Sequence, residues 1–257
     1  MNPRRCRLSQ TLLGLSALAA AACLAPCCAI ADGGRVVELP RFSTAPPGNT
    51  LPAGWTQRTL PSVERANRFD LVAEEGSSVL RVASERSAST LAVALHVDPA
   101  VTPLLHWRWR VSHALAGSDL RHKAGDDYAA RVRVYVLFDL PAERLGVGDR
   151  MKMIAARILY GADLPAAALC YVWGTAQAAG ESGWNAYTDR LRMIVVDSGN
   201  AHAGEWREVV RDVAADFRAA FGDPVPMISG VAVAADTDNT GESVEARFGD
   251  LWFEARP

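Results

Sequence analysis

The stretch MISGVAVAADTDNTG, residues 227–241, reads as a β-strand that runs into an acidic turn. Met227, Ser229, Val231 and Val233 alternate with Ile228, Gly230, Ala232 and Ala234, a period of two that belongs to strands. Asn239, Thr240 and Gly241 tolerate positive φ or bond locally to the backbone, so a hairpin is expected there. Residues 242–254 are then its second strand. Val244, Ala246 and Phe248 alternate, whereas Leu251 and Phe253 are out of step, and a β-bulge at Gly249-Asp250 returns all five to one face. Asp236, Asp238 and Asn239 converge where the first strand ends. Either they bond the amides of the turn, or they form a small seat for a cation or a polyol. Oxygen donors of this hardness suit calcium, with Asp250 as a further donor if the bulge turns it to the same edge. The opening of an EF-hand loop is matched superficially, but its twelfth position is Arg247, so that reading is rejected.

Working outward, residues 105–111 show the clearest strand of the chain. Leu105, Trp107, Trp109 and Val111 face one way; His106, Arg108 and Arg110 face the other. Residues 130–138 repeat the pattern, with Val132, Val134, Val136 and Phe138 opposite Arg131, Arg133 and Tyr135. Placed in one sheet, the two strands share an apolar face toward a core. Arg108, Arg110, Arg131 and Arg133 then make a basic stripe behind it, either a solvated sheet face or a surface for acidic groups. Further short strands are expected at 55–60, 68–73, 78–83, 91–97, 167–173, 190–196 and 206–213, with turn chemistry between them.

Two segments change period. Met151, Ile154, Ala155, Ile158 and Leu159 mark an amphipathic helix within 148–161. A short helix over 216–221 ends at Gly222, with Pro224 just beyond. The whole predicts an all-β, jelly-roll-type sandwich: one domain over 54–257 with one inserted helix, preceded by a proline-bearing lead-in over 32–53.

Residues 1–31 read as an export signal. Arg4, Arg5 and Arg7 precede the apolar run 11–22, and Ala29-Ile30-Ala31 fits a cleavage site that leaves Asp32 first. A membrane span is the rival, but the run is short and is followed by Pro26. Lipidation at Cys23 is a second rival, with Ala20 where leucine is usual. Cys6, Cys23, Cys27 and Cys28 leave with this segment. Cys170 alone remains, so the secreted or periplasmic chain has no disulfide, and its apolar neighbours describe a core cysteine. Cleavage lowers Lys+Arg from 27 to 24 against 29 acids, a net charge of −5, which disfavours nucleic acid as a partner.

No Gly-x-Ser-x-Gly elbow, His-Glu-x-x-His, phosphate loop or dinucleotide fingerprint occurs, and the five histidines are scattered. Lys123, Gly125, Asp126 and Asp127 form a second polar cluster. It reads as a charged turn, or Asp126 or Asp127 works with Asp236 or Asp238 as a glycosidic acid/base pair. Trp173, Trp184 and Tyr187 border the glycine-bearing loop 174–183. They suit stacking on a sugar, or they plug the end of the sandwich.

Trp107-Arg108-Trp109-Arg110-Val111, Lys123 with Gly125-Asp126-Asp127, Arg131 to Tyr135, Tyr171-Val172-Trp173 and Trp206 resemble the bacterial domain of unknown function 3047 family. So do Arg211-Asp212-Val213, Asp216-Phe217-Arg218, Phe221-Gly222, Asp236 to Gly241 and Gly249 to Phe253, in consistent order over about 50–255. The resemblance implies an exported protein without established activity, and it brings no catalytic residues. The closing pattern also looks like jelly-roll carbohydrate-binding modules, a likeness of fold. The expected function is a non-catalytic module for a carbohydrate or other envelope ligand. Trp173, Trp184 or Tyr187 would stack on it and the arginines would meet acidic groups. A carboxylate hydrolase and a structural envelope domain are the alternatives. No cofactor is expected apart from calcium.

Overall fold

In the computed structural model of the 257-residue chain, the structure describes residues 35–59, 63–136 and 167–257. The expected signal segment and the helix expected over 148–161 lie outside the described residues. Seven strands make a first sheet: β1 (Val36–Glu38), β3 (Arg68–Glu74), β4 (Ser77–Glu85), β6 (Leu104–Val111), β11 (Arg207–Asp212), β13 (Ser243–Phe248) and β14 (Trp252–Glu254). The second sheet runs in the order β2-β5-β12-β7-β8-β10-β9. Its strands are β2 (Trp55–Thr59), β5 (Ser89–Val97), β7 (Tyr128–Val136), β8 (Ala167–Gly174), β9 (Ser182–Asn185), β10 (Thr188–Ser198) and β12 (Ile228–Asp236). Among the described residues all strand pairs are antiparallel except β8 with β10. Face to face, the two sheets form the expected jelly-roll sandwich. Among the described residues no helix is long and apolar enough to cross a membrane.

Alternation places the core. Leu105, Trp107, Trp109 and Val111 of β6 are fully buried. Across the sandwich Val132 and Val134 of β7 and Tyr171 and Trp173 of β8 meet them. The Trp107 ring lies 5.4 Å from Tyr171, and the Trp109 ring 5.9 Å from Trp173. β6 and β7 therefore sit in opposite sheets, not side by side. Their apolar faces do share one core, but their arginines point to opposite outer faces. No single basic stripe exists, because periodicity fixes which face of a strand is apolar and not which sheet the strand joins.

The closing hairpin is corrected likewise. β12 belongs to the second sheet and β13 to the first, so residues 237–242 cross between sheets. The connection from β4 to β5 makes the same crossing beside it, and the two are bonded together. Thr237, fully buried, donates its amide to Ser87 O at 3.1 Å, and its hydroxyl lies 2.9 Å from that of Ser84. The bulge near Gly249 is present. Phe248 lies opposite Trp109 and Trp252 opposite His106, so the closing strand advances four residues while β6 advances three. Val244, Ala246, Phe248, Leu251 and Phe253 consequently all reach the core. At Gly249 an added Cβ would meet Arg108 Cγ at 2.6 Å, which explains the glycine there.

α1 (Val213–Phe221) starts three residues before the expected helix, since the Asp212 carboxylate accepts the Ala215 amide at 2.9 Å and caps it. It ends as expected at Gly222, with φ of 81°. The lead-in is more than a loop: β1 pairs with β14, and Leu39 and Phe42 enter the core.

Candidate functional site

On the outer face of the first sheet, arginines and acids of neighbouring strands neutralise each other. Arg108 lies over the Trp206 ring at 4.4 Å and pairs with Glu75 at 3.2 Å. Glu74 takes Arg110 at 2.7 Å, Arg247 at 2.6 Å and the Trp206 indole N–H at 2.9 Å. Burial pushes the Glu74 carboxyl up, but the bonds from Arg247 and Trp206 and the charge of Arg110 outweigh it and hold the group below its usual value. Arg81 pairs with Asp70, and Arg247 also reaches Glu245. Arg108 and Arg110 are thus spent on internal partners and present no cationic surface for an acidic ligand.

The acidic site lies at one end of the second sheet, and antiparallel pairing builds it. β7 begins just after Asp126-Asp127, β12 ends at Asp236, and Tyr128 lies opposite Asp236 in the ladder. The start of one strand therefore lies beside the end of the other, and the two polar clusters of the sequence become one.

Arg131 is its buried centre, 2% exposed. One end of its guanidinium bonds Asp236 Oδ2 at 3.0 Å. The other donates to the Asp126 backbone carbonyl and reaches Asp126 Oδ1 at 3.3 Å, and the Tyr128 ring lies 4.8 Å away. Asn185 Nδ2 donates to Asp126 Oδ2 at 2.9 Å. Arg131 is structural here, not a ligand contact. Arg133, half-buried on the same outer face, lies beside the buried Cys170, whose thiol burial pushes up in pKa.

Asp127 is fully buried and holds the 239–240 turn. It accepts the Thr240 amide at 2.6 Å, the Thr240 hydroxyl at 2.8 Å and the Asn239 side-chain amide at 3.1 Å. Asp236 is 9% exposed, and its Oδ1 is buried without a hydrogen-bond partner. Burial pushes the Asp236 carboxyl far above its ordinary value; Arg131 opposes this, and Asp238 and Asp127 add to it. Oxygens of Asp127, Asp236 and Asp238 all lie within 4.8 Å of one another. Asp250 belongs elsewhere. It caps the loop after β1, accepting the amides of Phe42 at 2.8 Å and Ser43 at 3.0 Å, because the bulge aims it at that loop from the far end of β13.

The three aromatics expected together are scattered. Trp173 is fully buried against Trp109 and donates its indole N–H to Gly199 O at 3.0 Å, so it is a core residue that no ligand reaches. Trp184, 40% exposed, lies on the edge strand β9, with Arg192 over its ring at 5.0 Å and Phe221 at 5.4 Å. Tyr187 is 57% exposed, with Lys123 Nζ 5.1 Å from its ring. Its hydroxyl donates to Asn239 Oδ1 at 3.3 Å. Trp184 and its neighbour Asn185 point to opposite faces of β9. Tyr187 stands with Asn185, Asn239 and Lys123 at the acidic end, and its amide donates to Asn185 Oδ1 at 3.0 Å. Asn185 went unrecognised in the sequence. An amide between two aromatics was the available signal for Asn185; Thr240 was marked as a turn residue, but not as a partner of Asp127.

These features define an all-β jelly-roll sandwich with a polar, aromatic-rimmed end on one sheet. The chain belongs to the family described as protein of unknown function (DUF3047), which it matches over residues 53–252. Among curated proteins none matches the sequence. Similar solved structures include an endoglucanase 3 of family GH12 from Trichoderma harzianum, at 9% identity and TM-score 0.40, covering 87% of this chain and 98% of that one. The xyloglucanase domain of NopAA from Sinorhizobium fredii is similar at 7% identity and TM-score 0.40, covering 86% and 99%. A family 30 carbohydrate-binding module of a Clostridium thermocellum cellulase is similar at 11% identity and TM-score 0.38, covering 86% and 98%.

Proposed function

We propose that this is an exported, non-catalytic domain that binds a glycan at the Tyr187 end of the second sheet. Tyr187 carries the reading: a ring 57% exposed on a sandwich whose other large aromatics, among the described residues, are mostly in the core. Beside it stand Asn185, Asn239, Asp238 and Lys123, donors and acceptors of the kind that a sugar's hydroxyls need. An aromatic face for the apolar side of a pyranose, next to convergent polar groups, is the usual chemistry of a polyol site. Trp184 and Arg192 extend the same edge on its other face. Residues 1–31, read as an export signal, would bring this surface to envelope or extracellular glycans.

The carboxylates favour binding over hydrolysis. A glycosidic acid/base pair flanks its bond with carboxyl groups about 5–9.5 Å apart across an open cleft. Asp127, Asp236 and Asp238 crowd within 4.8 Å, and Asp126 and Asp127 are held by Arg131, Asn185 and the 239–240 turn. A glycan array with a parallel hydrolysis assay tests the reading. Retention of one glycan class without turnover, weakened in Tyr187→Ala, is expected. Release of reducing ends that depends on Asp126 or Asp127 would replace this function with the hydrolytic one.

A further inference from the structure

We propose that Asp127, Asp236 and Asp238 seat one calcium ion at the end of β12. The proposal stands apart from the glycan reading and rests on an unfinished buried group. Asp236 Oδ1 is buried and has no hydrogen-bond donor, although the other oxygen of the same carboxylate is well paired with Arg131 at 3.0 Å. A buried carboxylate oxygen is ordinarily satisfied. Around the same side chain lies more negative charge: oxygens of Asp127, Asp236 and Asp238 all lie within 4.8 Å of one another.

With all of them ionised, Asp126, Asp127, Asp236 and Asp238 gather four negative charges at this end of the sheet. The Arg131 guanidinium is shared between two of them, Asp126 and Asp236. The bonds that Asp127 accepts from Thr240 and Asn239 come from neutral groups, so they orient its carboxylate without cancelling its charge.

Size and donor type choose the ion. Calcium binds oxygens at 2.3–2.6 Å, so two ligands of one ion lie up to about 5 Å apart, and the three carboxylates fit that span. No sulfur or imidazole lies in the set, which disfavours zinc and copper. Three carboxylates do not fill a shell of 6–8 oxygens; Asp238, on the solvent side of the cluster, leaves a way in for waters. An ion here would fix the 237–241 turn, and through Asn239 it would fix the hydroxyl of Tyr187.

The rival is a proton shared between Asp236 and Asp238. Purified protein is stripped with a chelator, and melting is followed while calcium is titrated. The proposal expects a saturable rise, about 5–10 °C at a hundredfold excess over Kd, reversed by chelator. Asp238→Asn, on the solvent side, should abolish the rise while its calcium-free melting temperature equals or exceeds that of the stripped wild type, since repulsion is relieved. Asp236→Asn should behave likewise toward calcium. A wild-type melting temperature indifferent to millimolar calcium would overturn the site, as would a rise that survives in both variants. An equal response to magnesium at the same concentration would overturn the assignment to calcium.

Discussion

Asp127→Ala is expected to be the most damaging substitution at the acidic end. The wild-type carboxylate is fully buried and accepts three bonds, at 2.6, 2.8 and 3.1 Å. Bonds to a charged acceptor contribute about 1.5–3 kcal/mol each when desolvated. Thr240 and Asn239 are partly exposed, so water recovers much of what they lose. A net cost of about 2–4 kcal/mol follows, or roughly 6–12 °C in melting temperature for a domain of this size. By contrast Asp238 reaches solvent and accepts from the Asn239 side-chain amide at 3.3 Å. In chelator, Asp238→Ala should shift stability by no more than about 0.5 kcal/mol. In the sequence the two residues belong to separate polar clusters, and the structure joins them. Urea unfolding of both variants in chelator measures it. A cost below about 1 kcal/mol for Asp127→Ala, or an equal cost for Asp238→Ala, would refute the reasoning.

Trp173→Ala should cost about 3–5 kcal/mol in urea unfolding, as a fully buried ring in the aromatic core. Trp184→Ala, 40% exposed, should cost about 1 kcal/mol, the loss of its contacts with Phe221 and Arg192. Glu74→Gln should cost about 1 kcal/mol at neutral pH, toward the surface value because Arg110 and Arg247 are each 26% exposed. The folded Glu74 pKa is depressed, so its contribution is whole above the unfolded value of 4.5 and disappears as pH falls through the lower folded value. Wild type and Glu74→Gln should therefore converge in stability in acid, as pH-dependent denaturation would show.

Local pattern was legible; partnership was not. The inward set of β6, the stop of α1 at Gly222 and the slip at Gly249 each follow from a few consecutive side chains or a backbone preference. Which sheet β7 or β13 joins depends on crossings such as 237–242, where Thr237 bonds a connection 150 residues away. Nothing in the strands themselves encodes that. Trp173 and Trp184 were indistinguishable because β8 is buried on both faces, so alternation gives no inside or outside. Asp126 and Asp127 are adjacent and chemically alike, and only the pairing of Tyr128 with Asp236 sends one to Arg131 and the other to Thr240. Asp250 was misplaced for a related reason. The bulge was foreseen, but the loop that its carboxylate caps, at Phe42 and Ser43, lies about two hundred residues earlier.

The proposed glycan-binding surface is built around Tyr187. Its most direct measurement is the affinity of purified wild type and Tyr187→Ala for the glycan class retained on an array, with unfolding followed in parallel. Tyr187 is 57% exposed, so the variant should stay as stable as wild type. Its affinity should fall about tenfold or more, the loss of one stacked aromatic at roughly 1.4 kcal/mol per decade. Undiminished binding by a folded Tyr187→Ala, or retention of no glycan by the wild type, would contradict the account.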